Sequence, residues 1–457
     1  MKMGVFPDCL KLAEVIPVFK AGSKLTVSNY RPISLLNIFS RIFEKCLFSR
    51  LSDFCLTHKI ISNNQFGFRS GSSTENAVVK ICNDISNHLN DNKLVCSIFL
   101  DLKKAFDTVN HNILMQKMYK YGIRGNTFQI FKDYLQNRKQ YTVINGTKSS
   151  CEPISCGIPQ GSILGPLLFL IYVNDINKTS NFEITLFADD SYLSLSDYSP
   201  TKLEIDVNTE LTKVKSWLEL NKLSLNVQKT SFMIFSKGRV KHDFVIKFGN
   251  SNLNQCAETK YLGVILDDKL SWIPHIKSIQ KKVSSSTWAL SRLQRFVPTE
   301  SLKKVYYGLV HAKLTYCISC WGGAKNLKKL ESLQNRAVKI ICKAKKRDSP
   351  KLCYKSLQIL QIRQCYNLQI ASIMFKLNLG KWKGDFVPVR PSSIHNYHTR
   401  FASKNTYTIP QGTSDLYQRS LNYIGPSVWN DVPEAIKATN NLGNFKKLFK
   451  EHLMSKI

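Results

Sequence analysis

Apolar and polar positions follow two different patterns along this chain. As far as about residue 270, short apolar runs bounded by turn-forming residues alternate with segments of helical spacing, which predicts strands interspersed with helices. The predicted strands are 15–20, 29–36, 94–100, 185–188, 191–195, 231–235 and 261–266, and the predicted helices are 38–54, 112–121, 128–135 and 201–220. Beyond residue 272 the pattern is helical, and helices are predicted at 276–296, 301–316 and 328–344.

Three of these segments give more detail than the rest. Segments 15–20 and 29–36 are separated by a polar loop, which predicts a hairpin. Segment 94–100 is a continuous apolar run of a length that suits a strand buried on both faces. The helix at 38–54 is expected to bury an apolar face formed by Ile38, Phe39, Ile42, Phe43, Cys46, Leu47 and Leu51.

Length and composition indicate a folded protein of several domains. A chain of 457 residues typically forms two to four domains, and the pattern changes near 268–271 and more weakly near 347–350. Hydrophobic residues make up 43% of the chain and aromatic residues 11%, which excludes wholesale disorder. No apolar stretch approaches the roughly 20 residues of a membrane span, and the N-terminus lacks a signal-peptide apolar region. The 13 cysteines have no regular spacing, so a reduced, intracellular protein is expected.

The charge is strongly positive and unevenly distributed. The chain carries 65 lysine and arginine residues against 32 aspartate and glutamate residues, a net charge of +33. From residue 271 to the end there are 32 basic residues against 8 acidic residues. Such an excess indicates a polyanionic partner, and nucleic acid is favoured over an anionic membrane or solubility alone.

Acidic residues stand at two special places in the predicted sheet. The apolar strand 94–100 ends at Asp101, and the turn between two further strands carries Asp189 and Asp190. Three carboxylates at the ends of neighbouring strands can hold two divalent cations for an in-line phosphoryl transfer. A solvated acidic turn accounts for the same spacing equally well.

Three segments around these carboxylates resemble the reverse transcriptases, specifically those of non-LTR (LINE-type) retrotransposons. Residues 187–190 (FADD) resemble the family's Phe/Tyr-x-Asp-Asp box, and residues 99–109 (FLDLKKAFDTV) resemble its first catalytic box. Residues 157–169 (GIPQGSILGPLLF) resemble the box that supports the template and the incoming nucleotide. The resemblance runs from about residue 4 to residue 272, and segments 306–322 and 425–449 also resemble downstream sequences of such elements. Because it is already under way at Gly4, we expect an N-terminally truncated chain whose endonuclease is missing.

The resemblance implies an α+β fold of the right-hand polymerase type. We expect partial fingers at 1–95, a palm with an antiparallel sheet at 96–270, a helical thumb at 271–348 and a basic helical C-terminal region at 349–457. The reverse transcriptase domain would then span about 1–270.

The resemblance also implies a metal site. Asp101 and Asp189 match direct metal ligands of the family, Asp190 matches a supporting carboxylate, and the backbone carbonyl of Leu102 is a further candidate ligand. The expected cofactors are two Mg²⁺ ions, for which Mn²⁺ is a possible substitute.

Six residues match nucleotide-binding positions of the family. Phe106 matches the bulky residue under the sugar, where its ring would collide with a ribose 2′-hydroxyl. The other candidates are Arg31 and Lys20 at the triphosphate, Gln160 and Gly161 in a loop beside the nucleotide, and Lys229 as a general acid toward pyrophosphate. Solvated or structural roles remain open for Lys20 and Lys229.

Three further motifs have less specific interpretations. Segment 65–69 (QFGFR) is family-like, and its Arg69 either touches the template or packs the fingers. Segment 261–263 (YLG) resembles the hairpin that grips the primer end. Cys317 and Cys320 form a lone C-x-x-C, for which apolar packing is favoured over metal binding.

The function expected from the resemblance is RNA-directed DNA polymerase activity with an RNA template, a DNA primer or target, and dNTP. Two alternatives stay open. One is a catalytically inactive nucleic-acid-binding relic, and the other is an RNA-dependent RNA polymerase, against which Phe106 argues. We expect no membrane association and a location in the nucleus and cytoplasm, and the oligomeric state is left open.

Overall fold

The computed structural model describes residues 4–238, 243–345, 347–384, 386–391, 405–412 and 414–457. Its strands are β1 Leu12–Phe19, β2 Tyr30–Leu36, β3 Leu94–Asp101, β4 Lys139–Ile144, β5 Thr147–Lys148, β6 Glu152–Pro153, β7 Glu183–Phe187, β8 Asp190–Asp197, β9 Ser231–Phe235, β10 Lys247–Phe248, β11 Ser251–Asn252, β12 Asn254–Gln255, β13 Glu258–Tyr261 and β14 Val264–Asp267.

Helices surround these strands and form most of the second half of the chain. They are α1 Ile38–Thr57, α2 Thr74–Asn90, α3 His111–Lys120, α4 Gly125–Leu135, α5 Gly165–Val173, α6 Pro200–Leu220, α7 Ile273–Leu293, α8 Thr299–Tyr306, α9 Ala312–Thr315, α10 Ile318–Trp321, α11 Lys328–Ile341, α12 Pro350–Leu357, α13 Ile362–Asn378, α14 Asp415–Gln418, α15 Leu421–Asn430, α16 Glu434–Lys437 and α17 Leu442–Ser455. A π-helical turn, Tyr307–His311, joins α8 to α9. The predicted α+β class is confirmed.

The central sheet has the strand order β12-β9-β3-β8-β7, with β3 in the middle. Its pairs are antiparallel except for the short parallel pair of β12 and β9. Successive side chains of β3 point to opposite faces. Val95 and Phe99 pack on the side of α2, whereas Cys96 and Ile98 pack on the side of α6. Burial on both faces explains why residues 94–100 are apolar except for Ser97, whose hydroxyl hydrogen bonds the Tyr192 hydroxyl (2.7 Å).

A second sheet is built from the N-terminal hairpin. Strands β1 and β2 are antiparallel, as the sequence predicts, and β4 adds to β1 in parallel. The short strands β5 and β6 both pair with β4. This sheet carries two of the candidate phosphate-binding residues, Lys20 and Arg31, at the far end of its hairpin.

Helix α1 buries Leu47 and Leu51 of the predicted face but not its first turn. Its buried residues are Ser40, Glu44, Leu47, Leu51 and Cys55, whereas Ile38, Phe39 and Ile42 are exposed. The buried Glu44 carboxylate accepts hydrogen bonds from the Tyr134 hydroxyl (2.8 Å) and the backbone N–H of Ile163 (2.7 Å). These bonds oppose the effect of burial, which raises the pKa of Glu44. The bonds of Glu44 to Tyr134 and Ile163, both distant in the sequence, therefore set which side of α1 faces the core.

The predicted strand 261–266 is a hairpin in the structure. Strand β13 ends at Tyr261 and β14 begins at Val264, so that Leu262 and Gly263 form a two-residue turn. Both turn residues have positive φ angles, 44° and 85°, as the tight turns of β-hairpins require. The apolar run predicts a continuous strand, whereas the resemblance of 261–263 to a hairpin of the family agrees with the turn that the structure has here.

The C-terminal helices share one core with the central sheet. Helix α2 packs against α10, α14 and α15. Residues of α2, α7, α8, α11, α13 and α17 belong to one apolar core, which includes Phe99 and Tyr192 of the sheet. The core continues across residue 349 without interruption, so the C-terminal region is packed on the preceding helices rather than attached as a tail. None of the helices in the described ranges is both long and apolar enough to span a membrane.

Candidate active site

The central sheet brings two of the predicted carboxylates face to face. Asp101 is the last residue of β3 and Asp190 is the first residue of β8, and the two are partners in the antiparallel ladder. Opposite residues in such a pair extend their side chains from the same face of the sheet, with Cβ atoms about 5 Å apart. Asp189 lies next to this pair in the β7–β8 turn. We call Asp101, Asp189 and Asp190 the acidic edge.

A loop from a distant part of the chain wraps the end of β3. The carbonyl of Asp101 accepts from the backbone N–H of Asn226 (2.7 Å), and its Oδ2 accepts from the Nδ2 of the same residue (2.9 Å). Leu102 is opposite Leu225 in a bridge that uses the N–H of Lys103 and the carbonyl of Asp101. The bridge therefore leaves the Leu102 carbonyl out of its hydrogen bonds. Lys229 is exposed in this same loop, and its N–H donates to the Asn226 carbonyl.

The acidic edge is electrostatically crowded. The pKa of Asp190 is raised to about 6, chiefly because the surrounding protein removes part of its hydration, and further by the negative charges of Asp189 and Asp101. The positive charge of Lys20 acts in the opposite direction. Lys20 therefore lies close enough to the acidic edge to interact with it.

The basic hairpin, by which we mean β1 and β2 with Lys20 and Arg31, presents these two side chains on one face. Arg31 is opposite Val18, and Lys20 follows two residues after Val18, so strand alternation directs both the same way. Both residues are exposed. The structure thus brings Lys20 to the acidic edge and places Arg31 on the same face of the hairpin.

Two aromatic rings pack against Phe106. Its ring stacks on Phe169 with centroids 4.4 Å apart and meets Phe68 edge-on at 6.5 Å. Phe106 remains half-buried, whereas Phe68 is exposed. Packing on Phe169 fixes the Phe106 ring and leaves part of it accessible.

The loop with Gln160 and Gly161 contacts the basic hairpin. The N–H of Ser34 in β2 donates to the Gln160 carbonyl (2.7 Å), and the Gln160 side chain donates to Asp107 (2.8 Å). Gly161 has a φ of +112°, and a Cβ there would lie 2.8 Å from the Ser34 carbonyl oxygen. The close approach that requires a glycine is therefore the approach of β2.

Two other motifs receive structural roles. The Arg69 guanidinium donates to the backbone carbonyl of Ser62, so among its two interpretations the structure favours packing. At the β13–β14 turn the Tyr316 hydroxyl donates to the Leu262 carbonyl (2.7 Å), and the Tyr316 ring lies against Gly263. The same hydroxyl is 3.1 Å from the Thr74 Oγ1 at the start of α2.

The C-x-x-C motif is part of the shared core. Cys317 is buried, and Cys320 lies near Cys82 of α2. Burial raises the pKa of Cys317 to about 12, so this thiol stays protonated. All 13 cysteines lie in the described ranges and are free thiols.

The acidic edge fits a divalent cation by its chemistry. Hard cations prefer oxygen ligands, and three carboxylates supply them. The repulsion that raises the pKa of Asp190 is also what a bound cation relieves. Among the described residues, no group of three or more His, Cys, Asp and Glu side chains stands in a ready-made metal-binding arrangement. The acidic edge is thus a set of donors that a cation would draw together.

Sequence reasoning missed three residues that shape this site: Gln65, Asn226 and Tyr316. Gln65 and Asn226 lie inside segments singled out for Arg69 and Lys229, and Tyr316 lies inside a family-like downstream segment. Their partners are more than 50 residues away in the chain. Their proximity to the family boxes is the signal that would have found them.

A comparison with protein families shows the family to which this chain belongs. Residues 19–266, more than half of the chain, match the model of the family described as reverse transcriptase (RNA-dependent DNA polymerase). The chain therefore belongs to the reverse transcriptase family. Members of this family generally use divalent metal ions.

The chain is also similar to curated proteins of Drosophila. It is 29% identical over 357 residues to a probable RNA-directed DNA polymerase from transposon BS of Drosophila melanogaster. It is 28% identical over 356 residues to the RNA-directed DNA polymerase from mobile element jockey of Drosophila funebris. Each alignment covers 75% of this chain but only 39% and 38% of these relatives, respectively. The relatives belong to non-LTR retrotransposons, which confirms the family resemblance of the sequence.

Among solved structures, a telomerase from Candida tropicalis with a TWJ fragment of telomeric RNA is similar at a TM-score of 0.41 and 11% identity. The similarity covers 79% of this chain and 62% of the telomerase. A score this low adds no argument about the fold.

Proposed function

We propose that this chain is the RNA-directed DNA polymerase of a non-LTR retrotransposon, which adds deoxynucleotides to a DNA 3′-hydroxyl on an RNA template. The observation that carries the proposal is the pairing of Asp101 with Asp190 in the central sheet, beside Asp189 and within reach of Lys20. Two-metal nucleotidyl transfer needs carboxylates that are fixed before the substrate arrives. The family match and the excess of basic residues support the same reaction.

The acidic edge is proposed to hold two Mg²⁺ ions, with Asp101, Asp189, Asp190 and the Leu102 carbonyl as ligands. When bound, these ions supply neutralisation of the charge on the phosphates. Mn²⁺ is the proposed substitute, because it accepts the same oxygen ligands.

The remaining candidates are proposed to bind and orient the nucleotide. Arg31 and Lys20 bind the triphosphate from the basic hairpin, because a guanidinium and an ammonium form charge-assisted hydrogen bonds to phosphate oxygens. The 3′-oxygen forms a bond to the α-phosphorus while the bond to pyrophosphate breaks. Lys229 gives a proton to the departing pyrophosphate, and the proton of the 3′-hydroxyl passes to water.

Phe106, Gln160 and Gly161 are proposed to form the sugar side of the nucleotide site. Phe106 is held by Phe169, so its ring cannot move aside for a ribose 2′-hydroxyl. This proposal separates a DNA polymerase from an RNA polymerase of similar architecture. Phe106→Val should raise ribonucleotide incorporation relative to deoxynucleotide incorporation, and unchanged discrimination would remove the assignment of Phe106.

The chain is proposed to divide into fingers at 1–95, palm at 96–270, thumb at 271–348 and a basic C-terminal region at 349–457. The β14 strand ends at Asp267 and helices begin at Ile273, which supports the second boundary. An RNA template and a DNA primer are the proposed partners of the basic helices.

Primer extension by the full chain tests the proposed function. We expect dTMP incorporation on poly(rA) with an oligo(dT) primer and Mg²⁺, and we expect Asp189→Asn to abolish it. Asp197→Asn is the matched control, since Asp197 lies at the other end of β8 and should leave incorporation intact. A wild-type chain that binds RNA but incorporates nothing would instead favour the inactive relic.

A further inference from the structure

A short segment at residues 64–68 extends the central sheet next to the acidic edge. The N–H of Phe66 donates to the Leu186 carbonyl (2.8 Å), and the N–H of Leu186 donates to the Asn64 carbonyl (2.8 Å). Gln65 and Leu186 form a parallel bridge. Strand β7 is therefore paired on both sides immediately before the turn that carries Asp189.

The Gln65 side chain contacts this turn directly. Its Oε1 accepts from the backbone N–H of Ala188 (3.1 Å) and from the backbone N–H of Gly67 (2.8 Å). Gln65 is 2% exposed, so water does not compete for these bonds. Both neighbours are N–H donors, which leaves only one consistent orientation of the amide.

Ala188 is the residue of the turn that most needs support. Its φ angle is +57°, a left-handed conformation that residues with a Cβ rarely adopt. Surrounding contacts must hold such a residue, because its intrinsic preference is for other conformations. The hydrogen bond from Ala188 to Gln65 is one such contact.

Gly67 brings the segment into direct backbone contact with the same turn. A Cβ at Gly67 would lie 2.5 Å from the Ala188 nitrogen and 2.9 Å from the Phe187 carbonyl carbon. Both atoms belong to the backbone, so a larger residue at Gly67 would displace the turn. The turn is thus held by the hydrogen bond that Ala188 donates to Gln65 and by the close packing of Gly67.

We propose that Gln65 is a positioning residue that, with Gly67 behind it, sets the backbone of the Ala188–Asp189 turn and so the placement of the carboxylates of the acidic edge. This inference rests on the proposed function, because it concerns the geometry of the same reaction. Gln65 acts through the turn and need not touch the nucleotide or the primer.

The consequence for the reaction follows from the position of Asp189 and Asp190 on either side of the start of β8. A turn released from Gln65 lets both carboxylates shift relative to Asp101, which the Asn226 loop holds independently. A displacement of about 1 Å in reacting groups costs up to about a hundredfold in rate. Primer–template affinity should change little, because the Gln65 side chain is only 2% exposed.

Three substitutions at one position separate the hydrogen bond from the volume of the side chain. Gln65→Met has a similar length and removes the acceptor, Gln65→Asn keeps an amide that is one methylene too short, and Gln65→Glu keeps the acceptor. We expect the first two to lower kcat by about 10- to 100-fold at unchanged primer–template Kd. Gln65→Glu should recover most of this loss at saturating Mg²⁺.

A matched control distinguishes positioning from general destabilisation. Gln334 is 1% exposed and hydrogen bonds Tyr306, Leu360 and Ile362 far from the acidic edge. Gln334→Met should lower the melting temperature at least as much as Gln65→Met does, yet keep the wild-type Mg²⁺ concentration for half-maximal activity. Gln65→Met should raise that concentration.

Hydrogen–deuterium exchange of the full chain provides a readout that does not depend on activity. The amides of residues 187–190 should exchange faster in Gln65→Met and in Gly67→Ala than in the wild type, whereas Gln65→Glu should restore protection. Unchanged exchange in Gln65→Met, or a kcat within twofold of the wild type, would overturn the positioning role. An inactive wild-type chain would overturn the proposed function, and the exchange results would still decide whether Gln65 holds the turn.

Discussion

The acidic edge and the basic hairpin are proposed to serve the same reaction, and the fold holds them in different ways. Asp101 is fixed by the ladder with β8 and by two hydrogen bonds from Asn226, and the turn with Asp189 is fixed by Gln65. Lys20 and Arg31 extend from the exposed end of the hairpin, whose other end is paired with β4 and whose Ser34 bonds the Gln160 carbonyl. The carboxylates are positioned by the fold, whereas the basic side chains have room to adjust to a bound phosphate.

This difference has a physical reason. Like charges repel, so three carboxylates stay together only where the fold holds them. Loss of hydration and, to a smaller extent, this repulsion raise the pKa of Asp190. A cationic side chain that binds a triphosphate forms its charge-assisted hydrogen bonds only with the bound ligand, so the fold need not fix it beforehand. Substitutions at the acidic edge should therefore affect catalysis, and substitutions at the basic hairpin should affect nucleotide binding. Substitutions where the loop of Gln160 and Gly161 packs against the hairpin should affect stability.

The largest effect is expected at Asp101. Asp101→Asn should lower the single-turnover rate of nucleotide incorporation by about a thousandfold or more, because several kcal/mol of charge stabilisation are lost. Asn226→Ala, which removes one support of Asp101 and keeps its charge, should cost about tenfold. A loss of less than tenfold in Asp101→Asn would remove Asp101 from the set of metal ligands.

A smaller effect, on binding alone, is expected at the basic hairpin. Arg31→Ala should raise the KM for dNTP by about tenfold, the value of one charge-assisted contact, with kcat and melting temperature unchanged. Lys24→Ala is the matched control in the same hairpin, since the Lys24 ammonium lies over the Phe19 ring. If Lys24→Ala raises KM as much as Arg31→Ala does, the hairpin attracts phosphate only by its overall charge.

A stability effect is expected where the loop of Gln160 and Gly161 packs against the basic hairpin. Gly161→Ala should lower the free energy of unfolding by about 3 kcal/mol, because the new Cβ combines a strained φ with a clash against Ser34. Gly146→Ala should cost about 1 kcal/mol, since Gly146 has a φ of +82° but no atom within 4 Å of its Cβ position. Denaturant unfolding monitored by circular dichroism compares the two, and equal costs would mean that β2 can yield at this contact.

The smallest effect is expected on a basic surface away from both regions. Lys351 and Lys355 are exposed one turn apart on α12. The double substitution to Gln should reduce the salt dependence of RNA binding by about 1.5 units of slope, roughly 0.7 for each lysine, with little change in affinity at high salt. These substitutions are sharper than deletion of residues 349–457, which would remove part of the shared core. An unchanged slope would assign both lysines to solubility.

The elements that the sequence predicts well are those whose signal is local. The run 94–100 and the acidic turn at Asp189 are visible because strand length, apolar character and turn residues coincide within a few positions. The assignment of Arg31, Phe106 and Gln160 to the nucleotide came from the family resemblance, since single residues of these types carry no such information. Their placement in the structure is compatible with those roles, which stay predictions.

What the sequence could not predict depends on partners far away in the chain. Ile38 and Phe39 of α1 have the apolar character of core residues but are exposed in the structure. The hydrogen bond between Glu44 and Tyr134, which are 90 residues apart, faces another side of the helix toward the core. The apolar residues around the β13–β14 turn predict a continuous strand, because a leucine at position 262 does not indicate a positive φ angle. Gln65 resembles any polar loop residue until its contact with Ala188 is known.

The Tyr316 hydroxyl has a consequence for motion. It bonds the Leu262 carbonyl of the β13–β14 turn and the Thr74 hydroxyl at the start of α2, while its own backbone belongs to the C-terminal helices. A swing of those helices must either break both bonds at once or carry the turn along with them. If the chain extends a DNA strand as proposed, the β13–β14 turn and the C-terminal helices would then move together at each added nucleotide, because Tyr316 links them.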